Sequence, residues 1–157
     1  MGNIISTLQV LELAFSDGGY IPQDVIAESD IKTATERWVI PVVGRGVMEA
    51  LLAGEYEQLR KEYVEPVVAL YTRILVQPRI NAMSGVGGLT VAVGSSHKAA
   101  EESLRQEHYK ALRLKARSLR RAMSDYLNDN RAQIAEYKSD ENILNRCCTD
   151  GGLMQIY

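Results

Sequence analysis

Residues 98–128, KAAEESLRQEHYKALRLKARSLRRAMSDYLN, decide the fold, because a single helical period runs through them without a Gly or Pro to break it. At about 100° per residue, Leu104, His108, Leu112, Leu119, Met123 and Tyr126 fall on one stripe that covers well under half of a helix circumference. The expectation is one long helix with one buried face. His108 lies on that stripe and reads as a core or boundary histidine, since no second metal-ligand type stands at helical spacing from it. On one flank, Lys110, Arg113, Arg117, Arg120 and Arg121 step by three and four residues. That flank reads as solvated surface, or as a face turned to a DNA channel or an acidic partner.

Working back towards the N-terminus, Leu8, Leu11 and Phe15 mark a first short helix, stopped by SDGGYIP at 16–22. From Gln23 to Ala53 the pattern is helical again, with a break expected near Pro41. Gly54 is suited to cap the helix that RGVMEALLAG forms. A further helix over about Glu55 to Val76 buries Leu59, Tyr63, Val67, Leu70 and Ile74, with Pro66 expected to bend it and Pro78 to bend or end it. Beyond the long helix, a short helix is expected near Ala132 to Tyr137, followed by a polar, loop-like tail.

The run SGVGGLTVAVGSS at 84–96 raises the question of a phosphate cradle. Such a loop requires Lys and a hydroxyl directly after its glycines and a buried strand before them, and this run has neither. Leu89, Val91 and Val93 instead alternate with Thr90 and Ala92, which is period two. The expectation is a glycine-bounded strand or hairpin insertion at about 85–94. Gly87, Leu89, Val91 and Val93 are then candidates for a contact between subunits, because an isolated strand or hairpin is marginal in water.

At 157 residues with 46% hydrophobic and 24% charged residues, the chain has globular values and room for one core. The adjacent Cys147 and Cys148 make no disulfide framework and read as tail thiols of a protein made in a reducing cytoplasm. No apolar run reaches the roughly 20 residues of a membrane span. Candidate catalytic, cofactor-binding and metal-ligating residues are all read as none: His97 and His108 are eleven apart, and Glu101 and Glu102 diverge on their helix. Leu153, Met154, Ile156 and Tyr157 give the tail an apolar end suited to docking on a partner.

Taken together, DIKTATERW at 30–38, LLAGEYEQL at 51–59, PVVALYTRIL at 66–75, the glycine-bounded run, the long basic helix and YLNDN at 126–130 followed by Tyr137 resemble the head-tail connector, or adaptor, proteins of tailed phages. The likeness covers most of residues 5–137 and is strongest for the type found in phages and prophages of gut Bacteroidetes. It implies a mainly α fold, a helical bundle of residues 1–137 with the β insertion, and a docking arm at 138–157. It also implies a structural, non-enzymatic virion protein of the neck, made in the bacterial host cytoplasm. Its implied partners are the portal protein, the next tail-completion component, copies of itself in a ring beneath the portal, and double-stranded DNA passing through the channel without sequence-specific binding. A helical interaction module of a cytoplasmic regulator is the alternative.

Overall fold

The long helix expected from the sequence is α6, Glu102–Asp129, in a computed structural model that describes residues 2–15, 21–82, 90–93, 96–99, 102–150 and 153–156. It buries Leu112, Ala116, Met123, Ser124 and Leu127. Leu104, at the near end of the expected stripe, is 41% exposed. The fold is mainly helical. Its centre is α5, Glu65–Ala82, which is buried along most of its length and packs against α1 (Thr7–Ala14), α2 (Glu28–Ala34) and α6. Val67, Val68, Ala69 and Val76 of α5 are wholly enclosed, so this one helix supplies the middle of the core.

Each local start and stop has a chemical cause. The Ser6 hydroxyl accepts from the Gln9 amide while the Gln9 side chain accepts from the Ser6 amide, a reciprocal cap that opens α1. A carboxylate oxygen of Asp30 accepts from the Ala27 amide at 3.0 Å and does the same for α2. α4, Arg45–Leu52, ends where Gly54 takes φ +93, and the Glu55 amide then donates back to the Ala50 carbonyl at 3.0 Å.

The prolines act differently from the expectation. No break falls at Pro41. The helix instead widens to a π turn over Thr35–Val39, continues as α3 (Ile40–Val43) and breaks at Gly44, whose φ is +84. Pro66 is likewise preceded by a π turn, Leu59–Val64, which leads straight into α5. The reason is shared. Proline has no amide to give to the carbonyl four residues back, and its ring crowds that carbonyl. The residue just before each proline donates five residues back, Ile40 to Thr35 and Glu65 to Arg60, and the wider ring makes room. Pro78 sits inside α5, which runs on to Ala82.

Residues 130–137 are turns rather than the expected short helix, although Ile134 and Tyr137 are buried. The following segment packs onto the end of α6 through Asn142 and Leu144, which are 1% and 9% exposed. Beside this body the backbone forms two short antiparallel pairings. Thr90–Val93 (β1) pairs with Ser96–Ala99 (β2), and Cys147–Asp150 (β3) with Leu153–Ile156 (β4). The tail read as loop-like thus carries a strand pairing, for which Asp150-Gly151 is a strong sequence signal. Of the insertion expected at about 85–94, residues 85–89 and 94 lie outside the described residues.

Candidate functional site

α6 presents its basic flank to a groove formed with α5 and the first π turn. The groove encloses about 460 Å³ and is lined by Arg37, Trp38, Tyr71, Ile74, Leu75, Pro78, Tyr109, Arg113, Arg117 and Arg120. Helical geometry explains which bases reach it. Taking Arg113 as zero, Arg117 and Arg120 lie within about 40° of it, whereas Lys110 and Arg121 lie about 60° and 80° round towards one side. Accordingly Lys110 is absent from the lining, and Arg121 is tied to Asp125 at 3.2 Å on the exposed surface.

The opposite wall comes from the π turn. Widening the helix at Thr35–Val39 puts consecutive residues, Arg37 and Trp38, into the groove. Trp38 stacks on Tyr71 with ring centroids 4.6 Å apart and planes 12° from parallel. Each aromatic of the groove also carries a guanidinium: Arg37 lies 5.0 Å from the Trp38 centroid, Arg120 lies 5.9 Å from Tyr71 and Arg113 lies 5.9 Å from Tyr109. Burial pushes the Tyr71 hydroxyl above its ordinary pKa, and Arg120, Arg117 and Arg113 pull it the other way.

Among the described residues, no carboxylate forms an ion pair with Arg37, Arg113, Arg117 or Arg120. Other cations of the body are matched. Arg60 meets Glu65 at 2.9 Å and donates to the Ile4 carbonyl, and Arg79 meets Asp30 at 3.0 Å and donates to the Val25 carbonyl. Arg73 is buried, donates to the Ala14 carbonyl, lies over the Phe15 ring at 4.6 Å and faces His108 at 3.4 Å. The groove can therefore bind anionic oxygen. It contains no nucleophile paired with a base, and no group of three or more His, Cys, Asp or Glu side chains among the described residues is placed to hold a metal.

Of the residues singled out in the sequence, Arg113, Arg117 and Arg120 come together here, while Lys110 and Arg121 do not. Gly87 and Leu89 lie outside the described residues, and Val91 and Val93 stand in β1. Leu153, Met154 and Ile156 stand in β4, and Tyr157 lies outside the described residues. Sequence reasoning missed Arg37 and Trp38. The available signal was Pro41 inside an apolar helical run, which requires the turn before it to adjust and so re-aims whatever that turn carries.

Residues 25–146 match a family described as a family of unknown function (DUF6712). That span takes in the whole groove and ends with the segment that packs back on α6. No curated protein and no solved structure matches the chain.

Proposed function

The chain belongs to the DUF6712 family, and we propose that this member is a structural protein of a phage neck, a head-tail connector that forms a ring beneath the portal and extends the DNA channel. On this reading it is no enzyme. It works in the virion after being made in the bacterial host cytoplasm, and its partners are the portal protein, the next tail-completion component, its own copies and the passing duplex.

The observation that carries the reading is how the strand pairings end. β1–β2 and β3–β4 each stop at two strands among the described residues, which leaves outer edges that a neighbouring chain can extend. Isolated two-stranded pairs are marginal in water, so edges of this kind favour an assembled state. The glycine-bounded insertion at about 85–94, with Gly87, Leu89, Val91 and Val93, is the proposed contact between subunits. Docking to the portal is assigned to Leu153, Met154, Ile156 and Tyr157, beyond the packed Asn142 and Leu144. The resemblance supports the reading from another side: its Tyr126, Asn128 and Tyr137 all serve in holding the end of α6.

Co-expression with the portal protein encoded beside it, followed by native mass measurement, tests the proposal. A closed ring of this chain on the portal is the expected species. A chain that stays monomeric with the portal present sinks the proposal and favours a helical interaction module, a reading to which the unpaired arginines of the groove also lend themselves.

A further inference from the structure

The groove between the first π turn, α5 and α6 recognises an acidic helix of another protein chain, we propose, one that presents carboxylates three and four residues apart. The inference goes beyond the neck-assembly reading and stands whether or not a ring forms.

Three observations carry it. The first is charge. Four guanidiniums, Arg37, Arg113, Arg117 and Arg120, line one groove, and no carboxylate of the described residues pairs with any of them. Elsewhere on the body Arg45, Arg60, Arg79, Arg105 and Arg121 all have acidic partners, so the lack is local to the groove.

The second is spacing. At about 1.5 Å of rise per residue, Arg113 and Arg117 are about 6 Å apart along α6 and Arg117 and Arg120 about 4.5 Å. A second helix with acids at i, i+4 and i+7 repeats that interval, and each guanidinium can take its carboxylate through two parallel hydrogen bonds.

The third distinguishes protein from nucleic acid. A single-stranded nucleic acid needs open aromatic faces on which its bases stack. Tyr71 covers one face of Trp38, and the Arg37 guanidinium lies over the same ring, which leaves that ring no open face. Arg120 and Arg113 lie over Tyr71 and Tyr109 in the same manner. These rings hold the guanidiniums in place and offer no platform for bases. Preorganised donors lose less freedom when a ligand binds.

Trp38 is the one tryptophan of the chain, so its emission reports on the groove directly. The full chain is titrated at low salt with an Ala-based helical peptide bearing Glu at i, i+4 and i+7, with the matching Gln peptide, and with an oligothymidine of equal charge. The expected result is a saturable change with the Glu peptide and affinities weaker by about tenfold or more for the other two probes. Arg117→Gln with Arg120→Gln should weaken the Glu peptide about tenfold, whereas Lys110→Gln with Arg121→Gln removes as much charge outside the groove and should cost less than about threefold. Because Arg120 is half-buried, Arg113→Gln at an exposed position provides a second variant that leaves the packing intact. Equal weakening by the two double variants, tighter binding of the oligothymidine, or no response to the Glu peptide overturns the proposal.

Discussion

Asn128 and Asn145 exchange side-chain amide hydrogen bonds, one at 3.0 Å and its return at 2.9 Å, so the last turn of α6 is stapled to residues seventeen positions further along the chain. Beneath this pair, Asn142 donates to the Ser124 hydroxyl at 2.9 Å and to the Tyr137 oxygen at 2.8 Å, while its own oxygen accepts from the Leu144 amide. Tyr137 passes its proton on to Asn128 at 2.7 Å. The network closes on itself inside the protein, where a missing partner is costly.

Asn142→Ala should therefore destabilise the fold by about 2 kcal/mol, because buried groups at Ser124 and Tyr137 lose their partner together. Asn145→Ala, at an exposed position, should cost less than half as much. Urea unfolding of both variants checks the order. Truncation sharpens the point: a chain ending at Arg146 keeps the network and should melt near the full-length temperature. One ending at Tyr137 loses Asn142 and Leu144 and should melt clearly lower.

Gly44 separates backbone strain from crowding. Its φ of +84 and ψ of 160 belong to a region that L side chains avoid, yet a Cβ built there meets nothing within 4 Å. Gly44→Ala should thus lose about 1–3 kcal/mol through conformation alone. At Gly46, inside α4, an added Cβ approaches the Glu136 Cβ to 3.2 Å, and the gain in helix propensity of about 1 kcal/mol offsets that contact. Thermal melts should rank Gly44→Ala well below Gly46→Ala.

The helical course of the chain was legible because its apolar spacing is regular. Val67, Leu70 and Ile74 recur at the helical interval and are all buried. What escaped the sequence was register. A proline predicts trouble at its own position, but the adjustment at Pro41 and Pro66 was made in the turn before, by one wide hydrogen bond that no residue pattern displays. That shift brought Arg37 and Trp38 to the groove, and a one-dimensional pattern on α6 had no means of pairing them with Arg113 or Arg117. The tail was misjudged for a similar reason. Asn142 looks like loop chemistry until Ser124 and Tyr137 are brought beside it.

Arg60 joins three elements, and its removal should be felt beyond the ion pair. Its guanidinium meets the buried Glu65 at 2.9 Å and donates to the Ile4 carbonyl at 3.0 Å. Arg60→Met leaves both acceptors unpaired and should cost about 2–3 kcal/mol. Adding Glu65→Gln removes the stranded charge, so the double variant should be more stable than the single one. Denaturant midpoints for the wild type, both singles and the double provide the measurement, and additive losses would show that the pair contributes nothing of its own.

Tyr71 should make the fold sensitive to alkali, in a direction fixed by its surroundings. Burial raises its pKa above the ordinary value of 10.0, so the folded chain holds the phenolic proton more tightly than the unfolded chain does. The contribution to stability is complete below the unfolded pKa and is lost as pH rises through the folded one. Tyr71→Phe keeps a ring to stack on Trp38 and removes the proton, so between about pH 8 and about pH 11 it should lose less stability than the wild type. Tyr56 is raised too, by its hydrogen bond to Glu136, but it is present in both chains and cancels in the comparison. The groove supplies a second check. Arg120, Arg117 and Arg113 favour the phenolate, so Arg117→Gln should push the Tyr71 titration further up, visible in the ultraviolet difference spectrum of the folded protein. An unchanged Tyr71 titration in Arg117→Gln would mean that the guanidinium field does not reach the hydroxyl, and that the groove is more solvated than its lining suggests.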